Sequence, residues 1–224
     1  KNGAKEIAAL AGRSLTFMAK YSMEEVGSSC HIHSSVWDTS TGDNLMWDAD
    51  APDHLSATFR GWLGGLIATG REFAWLFAHY VNSYKRYQPE SWAPTALAWG
   101  HDNRTCGYRL VGHGPAFRVE SRIPGADVNP YLAYAGVIAA GLHGITEGLE
   151  PPAPFSGNAY DAPGLPHVPS TLVEAVDLFA GSEAAKAAFG PEVHHHLVNT
   201  GRQEWHTFNR AVTDWERRRN FEQI

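Results

Sequence analysis

Apolar residues recur along much of the chain with the period of an α-helix. Residues 3–12 have this spacing, and residues 53–81 have it over a longer stretch in which Asp53 or Ser56 is the expected N-cap. Several glycines inside the longer segment lower its helix propensity. We therefore expect this segment either to pack closely against a neighbour or to be interrupted once.

Other segments alternate between apolar and polar residues, as β-strands do. The predicted strands are residues 14–21, 28–37, 105–111 and 116–123. A small and apolar run after Pro130 predicts a buried helix, the proline-rich residues 150–170 predict a long loop, and two or three helices are expected to close the chain. Together these elements predict an α+β fold, an antiparallel β-sheet flanked by helices.

Composition narrows the class of protein further. Hydrophobic residues make up 43% and charged residues 19% of the 224 positions, which is ordinary for a globular protein. The formal net charge of −6 disfavours nucleic-acid partners, and the longest apolar run, residues 131–142, is too short to cross a bilayer. With two cysteines and no signal peptide, the sequence predicts a cytoplasmic protein without a membrane partner. Because the chain starts inside a helix-like stretch without Met, we expect it to be the C-terminal part of a longer protein.

Two histidines stand one residue apart in the segment GSSCHIHSSVWD. If this segment is a strand, His31 and His33 project from the same face, because residues i and i+2 of a strand point the same way. Such a pair is able to bind a metal ion. From these residues alone, an ordinary structural or surface role is favoured over a metal site.

Arginines gather around one glutamate further along the chain. In RVESR, the same period of two places Arg118, Glu120 and Arg122 on one face, and a carboxylate between two guanidinium groups stays ionised. Arg104 and Arg109 lie just upstream, and the guanidinium fork suits carboxylate and phosphate groups. An anionic substrate with a metal ion, and phosphoryl transfer from a nucleotide, fit this set. A surface ladder of ion pairs is the structural alternative.

Three further features of the sequence receive structural interpretations. His194, His195 and His196 diverge by about 100° each in a helix, so they predict a solvated helix face rather than a metal site. The tryptophans are expected mostly in the core or in interfaces. Tyr160 is expected to be an ordinary loop tyrosine.

Four stretches, in the same order, resemble the glutamine synthetase family. They are GSSCHIHSSVWD, NRTCGYR, FRVESRIPGADVNPYLAYAGVIAAGLHGI and EWHTFNRAVTDWERRRNFE, and the resemblance covers nearly the whole chain, from residue 1 to about 222. The resemblance implies that residues 1–224 are the C-terminal catalytic domain, in incomplete form. The family's N-terminal β domain and its Glu-x-Glu pair lie upstream of residue 1, so the chain alone is expected to be inactive.

The resemblance also implies a role for individual residues. His31 and Glu120 would hold Mg²⁺ or Mn²⁺ between the phosphates of ATP. The residues implied to bind ATP are His33, Ser35, Arg104 and Arg109, and the two arginines would also stabilise the phosphoryl group during transfer. Those implied to bind glutamate are Gly27, Arg86 and Arg122. The implied reaction is phosphorylation of the glutamate γ-carboxylate, followed by amide formation with ammonia or an amine in a ring-shaped homo-oligomer.

Departures from the family pattern concern the nitrogen substrate. Trp92, in QPESWAPT, takes the place of a glutamate that the family usually carries in its flap, and Glu90 lies two residues earlier. An aromatic side chain there suits a bulkier organic amine, so a γ-glutamyl-amine synthetase is slightly favoured over a glutamine synthetase. Tyr160 falls at the position where some bacterial members of the family carry an adenylylated tyrosine. Only the Tyr-Asp pair matches the sequence around that position, so the resemblance does not imply this modification here. A non-catalytic relative of the same fold and, less well supported, a metal-dependent hydrolase are the alternatives.

Overall fold

The computed structural model describes residues 1–223. These residues form eight α-helices, one four-stranded sheet and the segments that connect them. The helices are α1 (Asn2–Leu10), α2 (Ala57–Ala68), α3 (Val81–Lys85), α4 (Pro130–Thr146), α5 (Leu172–Gly181), α6 (Glu183–Phe189), α7 (Pro191–Asn209) and α8 (Asp214–Asn220). The strands are β1 (Ile32–Ser34), β2 (Trp99–His101), β3 (Tyr108–Val111) and β4 (Arg118–Ser121). Short 3-10 helices cover Ala74–Phe77, Gly114–Ala116 and Ala159–Asp161. None of the helices in this part of the chain has the length and apolar character needed to cross a membrane.

The sheet has the strand order β1-β4-β3-β2. The β1–β4 and β3–β4 pairings are antiparallel, whereas β2 and β3 are parallel. A six-residue loop joins β2 to β3, and inside it the Asn103 side chain accepts from the backbone N–H of Thr105 at 3.0 Å. The loop returns the chain to the starting end of β2, so β3 runs parallel to β2. The predicted α+β class is confirmed, with one parallel pairing in the sheet.

The prediction of a strand over residues 14–21 is wrong. The backbone N–H and C=O of Lys20 bond to the Asn82 side chain at 3.0 and 2.7 Å, instead of to a neighbouring strand. The N–H of Ser28 donates to the Ala19 carbonyl at 2.9 Å. Because these backbone groups are satisfied outside a ladder, the segment is irregular. Of residues 28–37, only Ile32–Ser34 form a strand.

Helix α2 begins after Ser56, one of the two predicted N-caps, and packs closely on α4. The Ser56 hydroxyl accepts from the backbone N–H of Phe59 at 3.0 Å, as an N-cap does. The helix ends at Ala68, so the long apolar segment is both closely packed and interrupted. Gly65 of α2 faces Gly144 of α4, where the two backbones meet. The absence of side chains at this crossing permits the close approach.

Helix α4 is buried on one face only. Its small residues face α2, but four large apolar side chains on the other side are exposed: Tyr131, Tyr134, Ile138 and Leu142. The prediction of a buried helix therefore holds for the α2-facing side. The continuous apolar run in the sequence indicated burial, but it did not indicate whether one face of the helix or both are buried.

Four helices, α5 to α8, close the chain instead of the two or three expected. The prediction that the histidine triplet forms a solvated face is wrong for His194. Its ring is 6% exposed, stacks on Phe179 with 5.1 Å between centroids, and places Nε2 2.8 Å from the Phe179 carbonyl oxygen. His195 and His196 are exposed as expected. Trp62, Trp75 and Trp99 belong to the core, whereas Trp92 and Trp215 are exposed.

A buried histidine makes the fold sensitive to acid. Burial lowers the pKa of His79 to about 4, Lys1 acts in the same direction, and a hydrogen bond to the Trp75 backbone opposes the shift. The folded-state pKa is below the unfolded value of about 6.5, so the stabilisation is complete above pH 6.5 and is lost as the pH falls towards 4. Between pH 7 and 4.5, wild type should lose about 2–3 kcal/mol more unfolding free energy than His79→Phe. Denaturant unfolding at both pH values measures this difference, and the exposed His195→Phe serves as the control. Equal losses in wild type and His79→Phe would contradict the assignment.

Candidate functional site

Glu120 is the centre of a cluster of charged and polar side chains on one face of the sheet. Strand β4 lies between β1 and β3, and its register places Glu120 opposite His33 on one side and Arg109 on the other. Oε1 lies 3.0 Å from His31 Nδ1 and 3.6 Å from His33 Nε2. Oε2 lies 3.0 Å from Arg109 Nη1 and 3.2 Å from Arg122 Nη1. The structure therefore brings together five of the nine residues implied for the site.

The period of two explains why these side chains meet. Ile32 of β1 and Val119 of β4 point into the hydrophobic core, so His31, His33 and Glu120 point to the opposite face. The Glu120 side chain is only 5% exposed, because the surrounding rings and guanidinium groups cover it. A carboxylate buried to this extent needs charged or hydrogen-bonding partners, and here it has four.

The charge states follow from these contacts. Burial opposes ionisation of Glu120, but Arg109 and Arg122 outweigh it and hold the pKa of this carboxyl below its ordinary value. Burial lowers the pKa of His31, the charge of Arg122 acts in the same direction, and Glu120 opposes. Burial also lowers the pKa of His33, against the effect of Glu120. At neutral pH the site thus contains an ionised carboxylate beside two uncharged imidazoles.

Two of these groups fit a divalent metal ion. The 3.0 Å between His31 Nδ1 and Glu120 Oε1 equals the distance of about 3 Å between adjacent ligands in an octahedron with bonds of about 2.1 Å. Within residues 1–223 no group of three or more His, Cys, Asp or Glu side chains is placed to hold a metal. His31 and Glu120 would therefore supply only two ligands of such an ion.

Two residues of the cluster were not among the predicted site residues. Arg118 donates from Nε to His33 Nδ1 at 3.1 Å and from Nη1 to the Ala116 carbonyl at 2.8 Å, which orients the His33 ring. Asp102 accepts from Arg109 Nε at 2.7 Å, although its side chain is largely exposed. The period of two within RVESR indicated Arg118. For Asp102 the only signal was its position directly before the NRT stretch.

Arg104 and Ser35 stand apart from the Glu120 cluster. In the described part of the chain Arg104 has no hydrogen bond or ion pair, and it lines an open cavity of about 710 Å³ together with Asn103 and Phe155. Ser35 lies one residue beyond β1, and its hydroxyl accepts from Trp37 Nε1 at 2.7 Å. The structure thus leaves both side chains exposed, Ser35 after edge strand β1 and Arg104 after β2 at the opposite edge of the sheet.

Arg86 and Gly27, two of the three residues implied for glutamate, lie against each other, whereas Arg122 belongs to the Glu120 cluster. Arg86 is 1% exposed, donates to the Ser29 hydroxyl at 3.1 Å and to the Ile123 carbonyl, and lies against the Tyr87 ring. A Cβ on Gly27 would lie 2.6 Å from Arg86 Cγ, so the glycine leaves room for the arginine stem. Among residues 1–223 the Nε atoms of Arg86 and Arg122 find no hydrogen-bond partner. Unpaired buried donors of this kind favour an anionic ligand.

The loop around Trp92 has an unusual backbone. Glu90 and Trp92 have φ values of 56° and 60°, a region that residues other than glycine seldom adopt. The Trp92 side chain is 60% exposed. Tyr160 lies in the short 3-10 helix Ala159–Asp161, and its hydroxyl is buried without a partner in the described structure. This hydroxyl is therefore less accessible than that of an ordinary loop tyrosine.

An α+β domain with a carboxylate, imidazoles and arginines on one sheet face is typical of enzymes that act on anionic substrates with a metal ion. The glutamine synthetase catalytic domain matches residues 1–220, and the chain therefore belongs to the glutamine synthetase family. The resemblance seen in the sequence motifs is confirmed.

Its relatives include ligases that use organic amines. The chain is 56% identical over 224 residues to the γ-glutamylethanolamide synthetase GlnA4 of Streptomyces coelicolor, covering 100% of this chain and 47% of the relative. It is 42% identical to a glutamate–isopropylamine ligase of a Pseudomonas species, covering 96% and 48%. A solved structure described as a GmaS/ADP complex superposes with a TM-score of 0.88 at 32% identity, covering 98% and 52%. The chain spans about half the length of these relatives.

Proposed function

We propose that this chain is part of an ATP-dependent ligase that phosphorylates the γ-carboxylate of glutamate and joins it to an amine. The observation that carries the proposal is the ionised Glu120, 3.0 Å from His31 and in contact with Arg109 and Arg122. A phosphoryl-transfer site needs metal ligands and fixed positive charge at the same place, and this cluster would contribute to both.

The residues of the cluster would have different roles in binding metal, ATP and the transferred phosphoryl group. His31 and Glu120 would hold Mg²⁺ or Mn²⁺, which when bound neutralises phosphate charge. His33, Ser35 and Arg104 would contact ATP. Arg109 is held between Asp102 and Glu120 by hydrogen bonds of 2.7 and 3.0 Å, so its guanidinium is fixed in direction and would stabilise charge on the phosphoryl group. A pre-oriented charge of this kind costs no reorganisation during the reaction.

The buried arginines would bind the amino-acid substrate. Arg86 and Arg122 each retain an unpaired Nε–H, and glutamate carboxylate oxygens are suitable acceptors. Gly27 would line the same pocket, where its backbone can approach the substrate. Because these residues supply only part of a metal site, we propose that the chain needs further residues for activity, in a cytoplasmic homo-oligomeric ring.

An organic amine is the nitrogen substrate that we favour over ammonia. One relative is named as a γ-glutamylethanolamide synthetase and another as a glutamate–isopropylamine ligase. Trp92 replaces the usual acidic residue of the flap, and an aromatic side chain packs on an alkyl group but does not attract ammonium as a carboxylate does.

The nitrogen substrate can be tested by exchanging this side chain. The intact enzyme that contains this chain should release phosphate from ATP and glutamate at least tenfold more efficiently with ethanolamine, isopropylamine or putrescine than with ammonium. Trp92→Glu should reduce that preference about tenfold, equivalent to about 1.4 kcal/mol. The exposed Trp215→Glu is the matched control, with no expected change. Acceleration by ammonium alone would refute the organic-amine proposal.

A non-catalytic relative is the competing function. Such a relative would not show coupled binding of ATP and metal. A metal titration with and without an ATP analogue therefore distinguishes the ligase from the non-catalytic relative. Equal metal affinity in both titrations would favour the non-catalytic relative.

A further inference from the structure

Asp102, the first residue after β2, has a left-handed backbone conformation. Its φ is 50°, a value that residues other than glycine seldom adopt and that asparagine and aspartate tolerate best. Its N–H donates to the Leu110 carbonyl of β3 at 3.0 Å, so the residue is held against the neighbouring strand. This conformation brings the Asp102 side chain to Arg109, the residue that precedes Leu110.

The Asp102 carboxylate engages two nitrogens of Arg109. Its Oδ1 accepts from Nε at 2.7 Å and also from Nη2. The Asp102 side chain is 77% exposed, whereas that of Arg109 is 15% exposed. An ion pair with one partner so exposed contributes little to stability. The consequence of the contact for the site is the direction in which it holds the Arg109 guanidinium.

The contact with Asp102 limits how Arg109 meets Glu120. A guanidinium group can pair side-on with a carboxylate through two of its nitrogens. Because Nε and Nη2 are engaged by Asp102, Arg109 presents Nη1 to Glu120, and Nη1 donates to Oε2 at 3.0 Å. Arg109 therefore makes a single hydrogen bond to the central carboxylate of the cluster instead of a bidentate pair.

The two oxygens of Glu120 consequently have different surroundings. Oε2 accepts from Arg109 Nη1 and from Arg122 Nη1, at 3.0 and 3.2 Å. Oε1 lies 3.0 Å from His31 Nδ1, and among residues 1–223 its only guanidinium contact is a longer one of 3.3 Å to Arg122. Oε1 is thus the oxygen that is placed to share a metal ion with His31. A second hydrogen bond from Arg109 would be made to Oε1 and would compete with that ion.

We propose that Asp102 is a positioning residue that restricts Arg109 to Oε2 of Glu120 and so keeps Oε1 available to the divalent metal ion. The inference rests on the proposed function in one respect, the assignment of His31 and Glu120 as metal ligands. Without the Asp102 carboxylate, Arg109 is released to pair with both oxygens of Glu120. Replacement of residues that orient metal ligands from outside the coordination shell commonly lowers metal affinity or activity about 10–100-fold.

Mn²⁺ binding to the intact enzyme that contains this chain tests the proposal, with free Mn²⁺ measured by electron paramagnetic resonance in the presence of an ATP analogue. Asp102→Asn should weaken Mn²⁺ binding at least tenfold. Asparagine has the same size and tolerates the left-handed backbone, and the side chain is exposed, so thermal unfolding should not change. Asp177→Asn, at an exposed position of α5 with an ion pair of 4.0 Å, is the matched control and should change Mn²⁺ affinity less than twofold.

The same substitution in a second background separates positioning from a general effect of charge. The loss of an anion near the site would weaken Mn²⁺ binding whether or not Arg109 is present, whereas the release of Arg109 requires that arginine. Asp102→Asn should therefore change Mn²⁺ affinity less than twofold when it is added to Arg109→Gln.

Two results would overturn the proposal while the proposed function stands. The first is unchanged Mn²⁺ affinity in Asp102→Asn, and the second is an equal loss of affinity from Asp102→Asn in the wild-type and Arg109→Gln enzymes. Failure of the proposed function itself gives a different result, because the wild-type enzyme would then show no Mn²⁺ binding that depends on the ATP analogue. That result would overturn this inference as well, since it removes the metal ligands on which the inference rests.

Discussion

Glu120→Ala should abolish metal-dependent turnover of the intact enzyme and should also lower the unfolding free energy of this chain by about 3–5 kcal/mol. The residue is 3% exposed, and its two oxygens partner two guanidinium groups and two imidazoles. Its removal leaves the charge of Arg122 buried without a carboxylate partner among the described residues, while Arg109 keeps only the exposed Asp102. Phosphate release and Mn²⁺ titration measure the first effect, and denaturant unfolding measures the second.

A variant of His31 separates the effect on metal-dependent turnover from the effect on stability. The His31 side chain is 29% exposed and uncharged, so His31→Ala should cost less than about 1 kcal/mol of stability while it still abolishes coupled metal and nucleotide binding. Asp177→Ala, which removes a long exposed ion pair with Arg202, is the control and should alter neither property. Retained metal-dependent turnover in Glu120→Ala or His31→Ala would exclude that residue from the metal site.

Gly65→Ala should destabilise the fold strongly without touching the Glu120 cluster. A Cβ at this position would lie 2.7 Å from the backbone nitrogen of Gly144, and closer still to the Ala140 carbonyl oxygen. Both contacts are to the backbone of α4, which cannot rotate away as a side chain can. We expect a loss of about 3 kcal/mol or more, because α2 and α4 have to separate.

The control for this variant is Gly181→Ala. Gly181 is the last residue of α5, and nothing lies within 4 Å of a Cβ built there. Alanine has the higher helix propensity, so this variant should gain about 0.5–1 kcal/mol in denaturant unfolding. If Gly65→Ala were as stable as Gly181→Ala, the close crossing of α2 and α4 would be wrong.

Much of the site could be predicted from local pattern. Residues two apart in a strand share a face, so the sequence sufficed to place Glu120 beside Arg122 and to place His31 with His33. It did not show that β1 and β3 flank β4, which is why it left open whether the histidines meet the glutamate. Asp102 was missed for the same reason: its contact with Arg109 depends on the course of the loop after β2.

The incorrect predictions concern segments with more than one way to satisfy their backbone or their apolar surface. Residues 14–21 have the composition of a strand, but the side chain of Asn82, sixty-two residues from Lys20, bonds their backbone. His194 has a polar side chain, yet Phe179 supplies both a stacking surface and a carbonyl partner. In each case the partner is distant in sequence, so no local pattern indicates it.

The amino-acid sequence by itself determined the family, the α+β class, the choice of Asp53 or Ser56 as the N-cap of α2 and the sheet face on which each charged residue of RVESR lies. These properties depend on residues within a few positions of each other. Only the tertiary structure decided the order of the strands, the convergence of His31, His33 and Arg109 on Glu120, and the crossing of α2 and α4. Each of these requires segments separated by many residues to meet, and the free energy of such contacts comes from packing and burial rather than from local backbone preference.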